Sequence, residues 1–164
     1  MACTITLAAI AAELCASKPG LKPKMWWAKA EDITSIGAAT NWVVSTITPV
    51  STKGFYPLYV KRKDNGMDST PNETGGYTTE IKGFISKQEA AKSQIMSGAN
   101  GAEAFIFITE DQNGVKDIIG SLEHPVMVTF KPTKSPANGY ELLAKWEEHG
   151  DIPLTFSGAV PLAS

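Results

Sequence analysis

The sequence predicts a mainly β protein: a β-sandwich or barrel of about seven or eight strands, with one flanking short α-helix and a long inter-strand loop. Segments rich in β-branched and aromatic residues recur along the chain, separated by turn-forming residues. The one clear helical pattern is short and lies near the middle. With 164 residues, 43% of them hydrophobic, the chain fits a single domain that spans residues 1–164.

The N-terminal part begins ambiguously. In residues 3–15 the alanines favour a helix whereas the stretch CTITL favours a strand, and both alternatives stay open. Residues 18–23, KPGLKP, are typical of a break in secondary structure, and residues 24–33 fit a strand or an irregular turn. Strands are predicted over residues 41–50 and 55–63, because both runs are rich in β-branched and aromatic side chains.

A long polar stretch follows the second of these strands. Residues 61–76 show no core pattern, and the stretch is far longer than the roughly two to five residues that a tight hairpin needs. It is therefore predicted to be an extended loop. The next strand is predicted over residues 76–85, where Tyr77, Thr79 and Ile81 alternate with polar side chains in the pattern of a half-buried strand.

A single short helix is predicted directly after that strand. Ser86 and Glu89 have the spacing of a capping box, in which the serine hydroxyl accepts from a backbone amide and the glutamate reaches back. Ala91, Ile95 and Gly98 fall on or near one face of the helix that follows, and Lys87 and Lys92 lie outside that face. The sequence GANG, residues 98–101, supplies the permissive residues with which helices end.

The rest of the chain is predicted to be β. Residues 103–110, EAFIFITE, form a strong strand, and Asn113-Gly114 is the strongest short-range hairpin signal before the returning strand at residues 115–122. Three further strands are predicted at 125–132, 140–148 and 152–160. The segment at 140–148 also contains strong helix formers, but the strand is preferred.

No known catalytic motif is present, so the sequence predicts neither an enzyme nor a cofactor. Glycine-rich phosphate loops, the nucleophile elbow and the zinc-protease helix motif are all absent from the sequence. Carboxylate pairs occur where solvated charge is the usual explanation, and the four tryptophans fit core or interface roles. A net charge of −2 disfavours nucleic-acid binding through a basic surface.

The two cysteines do not match a zinc site. Cys3 and Cys15 are predicted to be reduced thiols of a cytosolic product, and a disulfide between them stays open as the alternative. The N-terminal segment lacks the basic region of a signal peptide, and Glu13 interrupts its apolar run. No stretch is long enough to span a membrane as a helix.

The C-terminal half carries a family resemblance. The segment GVKDIIGSLEHPVMVTFKP, followed by GYELLAKWEEHGDIPLTFSG with its closing P-x-x-F-S-G, resembles the tail tube proteins of long-tailed bacteriophages and the related tube proteins of contractile injection systems. The N-terminal pattern MACTIT…C…GLK, with its later W and EDI, is similar to virion proteins of phages that infect Bacteroidetes, both tail tube proteins and neck or ring proteins.

The resemblance implies a structural virion protein. Such proteins form hexameric rings around a channel and stack into a tail tube that conducts DNA without sequence-specific binding. It implies that the chain is assembled in the host cytoplasm, that it resides in the tail of the virion without a membrane, and that its partners are copies of itself and other phage tail proteins. The alternatives are a neck or connector ring protein of the same virion, a monomeric β-barrel that binds a small ligand, and an enzyme without a recognisable motif.

The resemblance also assigns a role to the long polar stretch. In the family, a loop or hairpin between two strands reaches the neighbouring ring, so the stretch within residues 61–76 becomes the candidate inter-ring contact. The residues assigned to this contact are the charged, amide and glycine residues Lys61, Arg62, Lys63, Asp64, Asn65, Gly66, Asp68 and Glu73.

A tube also needs a face that lines its channel. Period-two alternation selects the water-facing residues as candidates, namely Thr78, Glu80, Lys82, Glu110 and Lys116. An unpaired lysine or arginine in the bore would hold passing phosphates. The channel face is therefore expected to be acidic or neutral, with each lysine balanced by a nearby carboxylate.

Overall fold

The computed structural model describes residues 21–61, 65–134, 137–150 and 152–164, without the side chains of residues 148–150. Within this part the protein is mainly β, with one short α-helix, and the predicted fold class is confirmed. The segment 3–15, with Cys3 and Cys15, lies outside the described residues. Twelve strands occur among the described residues, rather than seven or eight, because several predicted runs are split by turns.

The elements follow one another in a mostly β order. The bounds are β1 Lys24–Lys29, a 3₁₀ turn Ala30–Asp32, β2 Ile33–Ile36, β3 Val43–Val44, β4 Ile47–Pro49, β5 Tyr56–Tyr59, β6 Gly66–Pro71, β7 Tyr77–Ser86, α1 Ala90–Ala99, β8 Glu103–Glu110, β9 Lys116–Ile119, β10 Val126–Thr133, β11 Gly139–Gly150 and β12 Leu154–Phe156.

Strand β8 lies at the centre of the fold. One edge pairs with β1, whereas β9 and β10 pair with different parts of the other. Phe105 and Phe107 enter one apolar cluster, and Ile106 and Ile108 enter a second cluster on the opposite face. Burial on both faces explains why this strand is a continuous apolar run rather than an alternating one.

The large sheet runs from β3 to β6. Its strand order is β3-β12-β9-β8-β10-β11-β7-β6, with β1 and β5 attached beside β8 and with β2 and β4 forming a separate pair. Most neighbours are antiparallel, and β3 with β12 is a parallel pair. Strand β6 therefore ends the path of the sheet, and its outer edge has no strand beside it among the described residues.

Several local predictions are confirmed. Asp111 and Val115 close the hairpin between β8 and β9, and Gly114 takes a φ of 90°, which the Asn-Gly signal anticipates. Strand β7 alternates as predicted, with Thr79 and Ile81 fully buried. The segment at 140–148 belongs to strand β11 and not to a helix, because β10 and β7 hydrogen-bond to its two edges.

The predicted capping box is wrong. Ser86 is the last residue of β7, paired with Gly139, and the helix begins only at Ala90 with Glu89 as its N-cap. The Glu89 side chain makes no capping hydrogen bond; instead the Glu89 amide donates to the Tyr140 hydroxyl at 3.3 Å, and this hydroxyl also contacts Ser93. Ser86 pairs with β11 and does not cap the helix, because the β7–β11 ladder continues through this residue without a break.

The helix face that carries Ala91, Ile95 and Gly98 is exposed and is not the face that packs on the core. The side chains that enter the core are Met96 and Ala99, whereas Ile95 is 60% exposed. Met96 and Ala99 have the i, i+3 spacing of one helix face, and the helix packs against β10. An exposed isoleucine is thus left on the outer surface of α1.

Truncating Ile106 should test the double burial of β8. Ile106→Ala removes buried methyl groups from a side chain with 0% exposure, so the free energy of unfolding should fall by about 2–5 kcal/mol. The matched control is Ile95→Ala on the surface, which should change stability by less than about 0.5 kcal/mol. Urea unfolding measures both, and an equal effect of the two substitutions would contradict the assignment of the core.

Candidate assembly surfaces

The predicted loop at 61–76 is largely a β-hairpin. Strand β6, Gly66–Pro71, pairs antiparallel with the first half of β7, and the turn occupies residues 72–76. The sequence pattern missed this strand because five of its six residues are glycine, proline or polar, whereas backbone pairing with β7 needs no apolar pattern. Met67 is the apolar residue in β6 and packs against the main core cluster.

Side-chain hydrogen bonds hold the hairpin together. The hydroxyls of Ser69 and Thr79 lie 2.9 Å apart across the ladder. At the turn, the Thr78 hydroxyl donates to the Asn72 side chain at 3.0 Å, and the Asn72 amide donates to the Gly76 carbonyl at 2.8 Å. The hairpin is therefore an ordered arm and not a loose loop.

The base of the arm is anchored to the body of the protein. The Asn65 side-chain amide donates to the Leu21 carbonyl at 3.0 Å. Met67 lies with its sulfur 3.7 Å from the hydroxyl of buried Thr109. These contacts hold the start of β6 against the body of the protein.

Among the described residues, no backbone group pairs with the outer edge of β6. In an antiparallel ladder, successive residues direct their N–H and C=O groups alternately toward and away from the partner strand. The Asn72 amide donates to Gly76, so the alternate residues Thr70 and Asp68 also direct their backbone groups toward β7. The residues between and beside them direct their backbone groups outward; these are Met67, Ser69 and Pro71. Pro71 has no N–H, so the outward set contains two donors and three acceptors.

The residues assigned to the inter-ring contact are in different settings. Asp68 and Glu73 are exposed on the arm, Gly66 begins its strand, and Asn65 is used in the anchoring contact. Lys61 precedes the arm and lies over the ring of Phe84, 5.1 Å from its centroid. Arg62, Lys63 and Asp64 lie outside the described residues.

The candidate channel residues of β7 share one face. Thr78, Glu80 and Lys82 point away from the main core, as the alternation predicted. Glu80 lies 3.7 Å from Lys82 and 3.8 Å from Lys145 on the neighbouring strand β11. The two lysines therefore share a carboxylate between them.

The same face continues across β11 and β10 with further ion pairs. Lys145 is 2.5 Å from Glu147, and Lys131 is 3.8 Å from Glu141. The hydrogen bond to Glu147 and the charges of Glu147 and Glu80 raise the pKa of Lys145. Sequence reasoning missed these partners, although the period-two spacing of Glu141, Lys145 and Glu147 carried the signal.

Glu110 and Lys116 lie in a different place from the β7 group. They oppose one another in the ladder of β8 and β9. Glu110 is ion-paired with Lys22, whereas Lys116 donates to the Gly158 carbonyl and lies over the Phe156 ring. Both side chains are half-buried, so neither presents a free charge to an open face.

Three of the four tryptophans occupy contrasting positions, two of them packed in the apolar interior and one exposed. Trp27 stacks on Phe105 with ring centroids 5.0 Å apart, and Trp146 is 9% exposed in the core. Trp42 is 47% exposed and has a φ of 67°, which is unusual for a bulky residue.

Among the residues that the structure describes, no group of three histidine, cysteine, aspartate or glutamate side chains is placed to hold a metal ion. In the same part of the chain, no helix has both the length and the apolar character needed to cross a bilayer.

The carboxyl of Asp117, in the β8–β9 hairpin, has a raised pKa. Burial raises the pKa of this carboxyl to about 6, and the negative charge of Asp111 adds to the effect. Its neighbours in the ladder are Thr109 and Thr155, so the carboxylate has no cation directly opposite. Ionisation of Asp117 at neutral pH is therefore opposed by the fold.

The Asp117→Asn variant should be more stable than the wild type at pH 7. A folded-state pKa above the unfolded value stabilises the protein at low pH, and this contribution is lost as pH rises through about 6. The amide never ionises, so we expect a gain on the order of 1 kcal/mol at neutral pH for this partly buried site, vanishing near pH 4. Urea unfolding at both pH values measures it, and a pH-independent difference would contradict the assignment.

The chain matches no protein-family model, no curated protein and no solved structure. Its function is therefore inferred from its own residues and geometry.

Proposed function

We propose that this protein is a structural subunit that assembles with copies of itself into stacked rings, as in a bacteriophage tail tube, and that the tube conducts DNA. The observation that carries the proposal is the ordered hairpin of β6 and β7, whose outer edge has no pairing strand in the part of the chain that the structure describes. The proposal assigns the protein to the virion tail and gives it no catalytic role.

An unpaired edge favours association with another chain. A strand edge presents N–H and C=O groups in a row, and pairing with a second strand satisfies them. The arm is polar, so it remains soluble when exposed, and its anchor at Asn65 and Met67 reduces the ordering cost of binding. A preorganised arm of this kind suits contact between neighbouring rings.

The ion-paired face of β7, β11 and β10 suits the wall of a channel. Lys82, Lys131 and Lys145 each have a carboxylate within 4 Å. A phosphate that passes over this face meets no unpaired lysine among them and gains little from displacing counterions. This balance supports the conduit and argues against a surface that grips nucleic acid.

A small-ligand-binding β protein is the second candidate. A groove of about 1130 Å³ between β5 and α1 favours it, because ligand sites are concave and mostly apolar. The groove is open along one strand edge, whereas ligand pockets usually enclose most of their ligand. Self-association distinguishes the two candidates, since a ligand-binding monomer requires none.

The substitution Ser69→Pro should prevent the stacking of rings. Proline removes the central outward N–H of the β6 edge while leaving the ladder bonds of Asp68 and Thr70 to β7 in place. The matched control is Ser69→Ala, which loses the same hydroxyl contact with Thr79 but keeps the N–H. We expect Ser69→Ala to form rings and stacks and Ser69→Pro to remain a smaller species in native mass measurements and electron micrographs.

Circular dichroism checks that both variants are folded. A lysine at exposed Thr70 supplies a second test, because an added charge on an edge strand discourages pairing without touching the ladder. If Ser69→Pro assembles as well as Ser69→Ala, the hairpin edge is not the contact. If the wild type stays monomeric at every concentration, the assembly proposal fails.

A further inference from the structure

The groove between β5 and α1 is a large and mostly apolar surface feature. Trp27 and Phe130 line it from the core, and Ile95 and Met96 line it from the helix. On its strand side, Tyr56 and Tyr59 are 53% and 60% exposed. A cluster of exposed aromatic and aliphatic side chains in one concave place is typical of an interaction site.

The strand side of the groove is a second open edge. The Val60 amide donates to Pro23, on the β1 side, so alternation directs the backbone groups of Tyr59 and Pro57 the other way. The ends of this outward edge are occupied, because Lys61 donates to Phe84 and Phe55 donates to Pro161. Between them, Tyr59 offers one donor and one acceptor and Pro57 offers one acceptor, without a described backbone partner.

The charges of the groove and the arm are complementary. Four lysines line the groove, with Asp32 as the one carboxylate among the lining residues, and neither Lys53 nor Lys61 has an ion pair among the described residues. The charged residues of the arm, residues 65–76, are the exposed carboxylates Asp68 and Glu73. Opposite charges of this kind favour encounter and fix orientation.

We propose that the groove receives the β6–β7 arm of a second copy of this chain, with β6 adding to the open edge of β5. This inference rests on the assembly proposed above and names the surface that the arm contacts. Strand addition to an exposed edge is a known mode of recognition, in which backbone hydrogen bonds give affinity and flanking side chains give specificity.

The prolines select one antiparallel register. With Tyr59 opposite Met67, these two residues exchange two hydrogen bonds, and the Ser69 amide donates to the Pro57 carbonyl. A shift that places Tyr59 opposite Ser69 would set Pro57 against Pro71, where neither residue has a donor. The open groups of the two edges are therefore matched in only the first of these registers.

The contact joins two different surfaces of the chain. Each copy carries one arm and one groove, so every copy can give an arm to one neighbour and receive an arm from another. Between copies in neighbouring rings, such head-to-tail contacts repeat from one ring to the next and continue as an open stack. The inference thus predicts assembly beyond a dimer.

A charge exchange tests the pairing of arm and groove. Lys53→Glu with Lys61→Glu should weaken self-association about tenfold at low salt, and Asp68→Lys with Glu73→Lys should do the same. Combining all four substitutions should restore association to near the wild-type level. Sedimentation velocity across a concentration series measures it, with Lys134→Glu, an exposed lysine outside the groove lining, as the control.

A second variant tests the apolar part of the groove. Ile95→Asp places a carboxylate on an exposed position of α1, so the fold should be kept while the acidic arm is repelled and association weakens. If Ser69→Pro prevents stacking but the groove variants assemble like the wild type, the groove assignment is overturned and the hairpin contact stands. If all four substitutions together associate no better than either pair, the direct pairing of arm and groove is overturned. A wild type that never self-associates would overturn both proposals.

Discussion

Strand β8 is buried between two apolar clusters. Phe105 and Phe107 enter one cluster, and Ile106 and Ile108 enter the other. A strand buried on both faces needs partners on both edges, and β1, β9 and β10 supply them. The sheet divides at this strand, with one branch leading toward β3 and the other through β10, β11 and β7 to β6. The position of the hairpin arm at the end of the sheet follows from this arrangement.

The arm and the groove present complementary open edges. Natural proteins usually protect exposed strand edges with charges, prolines or covering segments. Here Pro71 and Pro57 each remove one donor from their edge, which limits pairing to particular registers without abolishing it. An edge that is polar, ordered and restricted in register suits specific assembly better than indiscriminate aggregation. On the β7 face, the lysines are ion-paired with carboxylates and therefore attract phosphate only weakly.

The sequence predicted the elements whose pattern is local. The alternating side chains were sufficient to predict β7, and Asn113-Gly114 was sufficient to predict the β8–β9 turn, because side-chain period and turn chemistry determine these elements directly. The capping box at Ser86 failed because strand pairing with Gly139 extends through that residue, and such a long-range contact leaves no local signal. Strand β6 was missed for the same reason, since its backbone pairs with β7 while its side chains are almost all polar. The ion pairs of Lys145 depend on strand order, which no single segment encodes.

Hydrogen exchange of the β6 amides tests the central claim most directly. In the isolated subunit, the amides of Met67 and Ser69 should exchange fast, because they point away from β7, whereas those of Asp68 and Thr70 should be protected by the ladder. In the assembled particle, all four amides should be protected, since the outer edge is then paired with a second chain. Fast exchange at Met67 and Ser69 in the assembled particle would contradict the account.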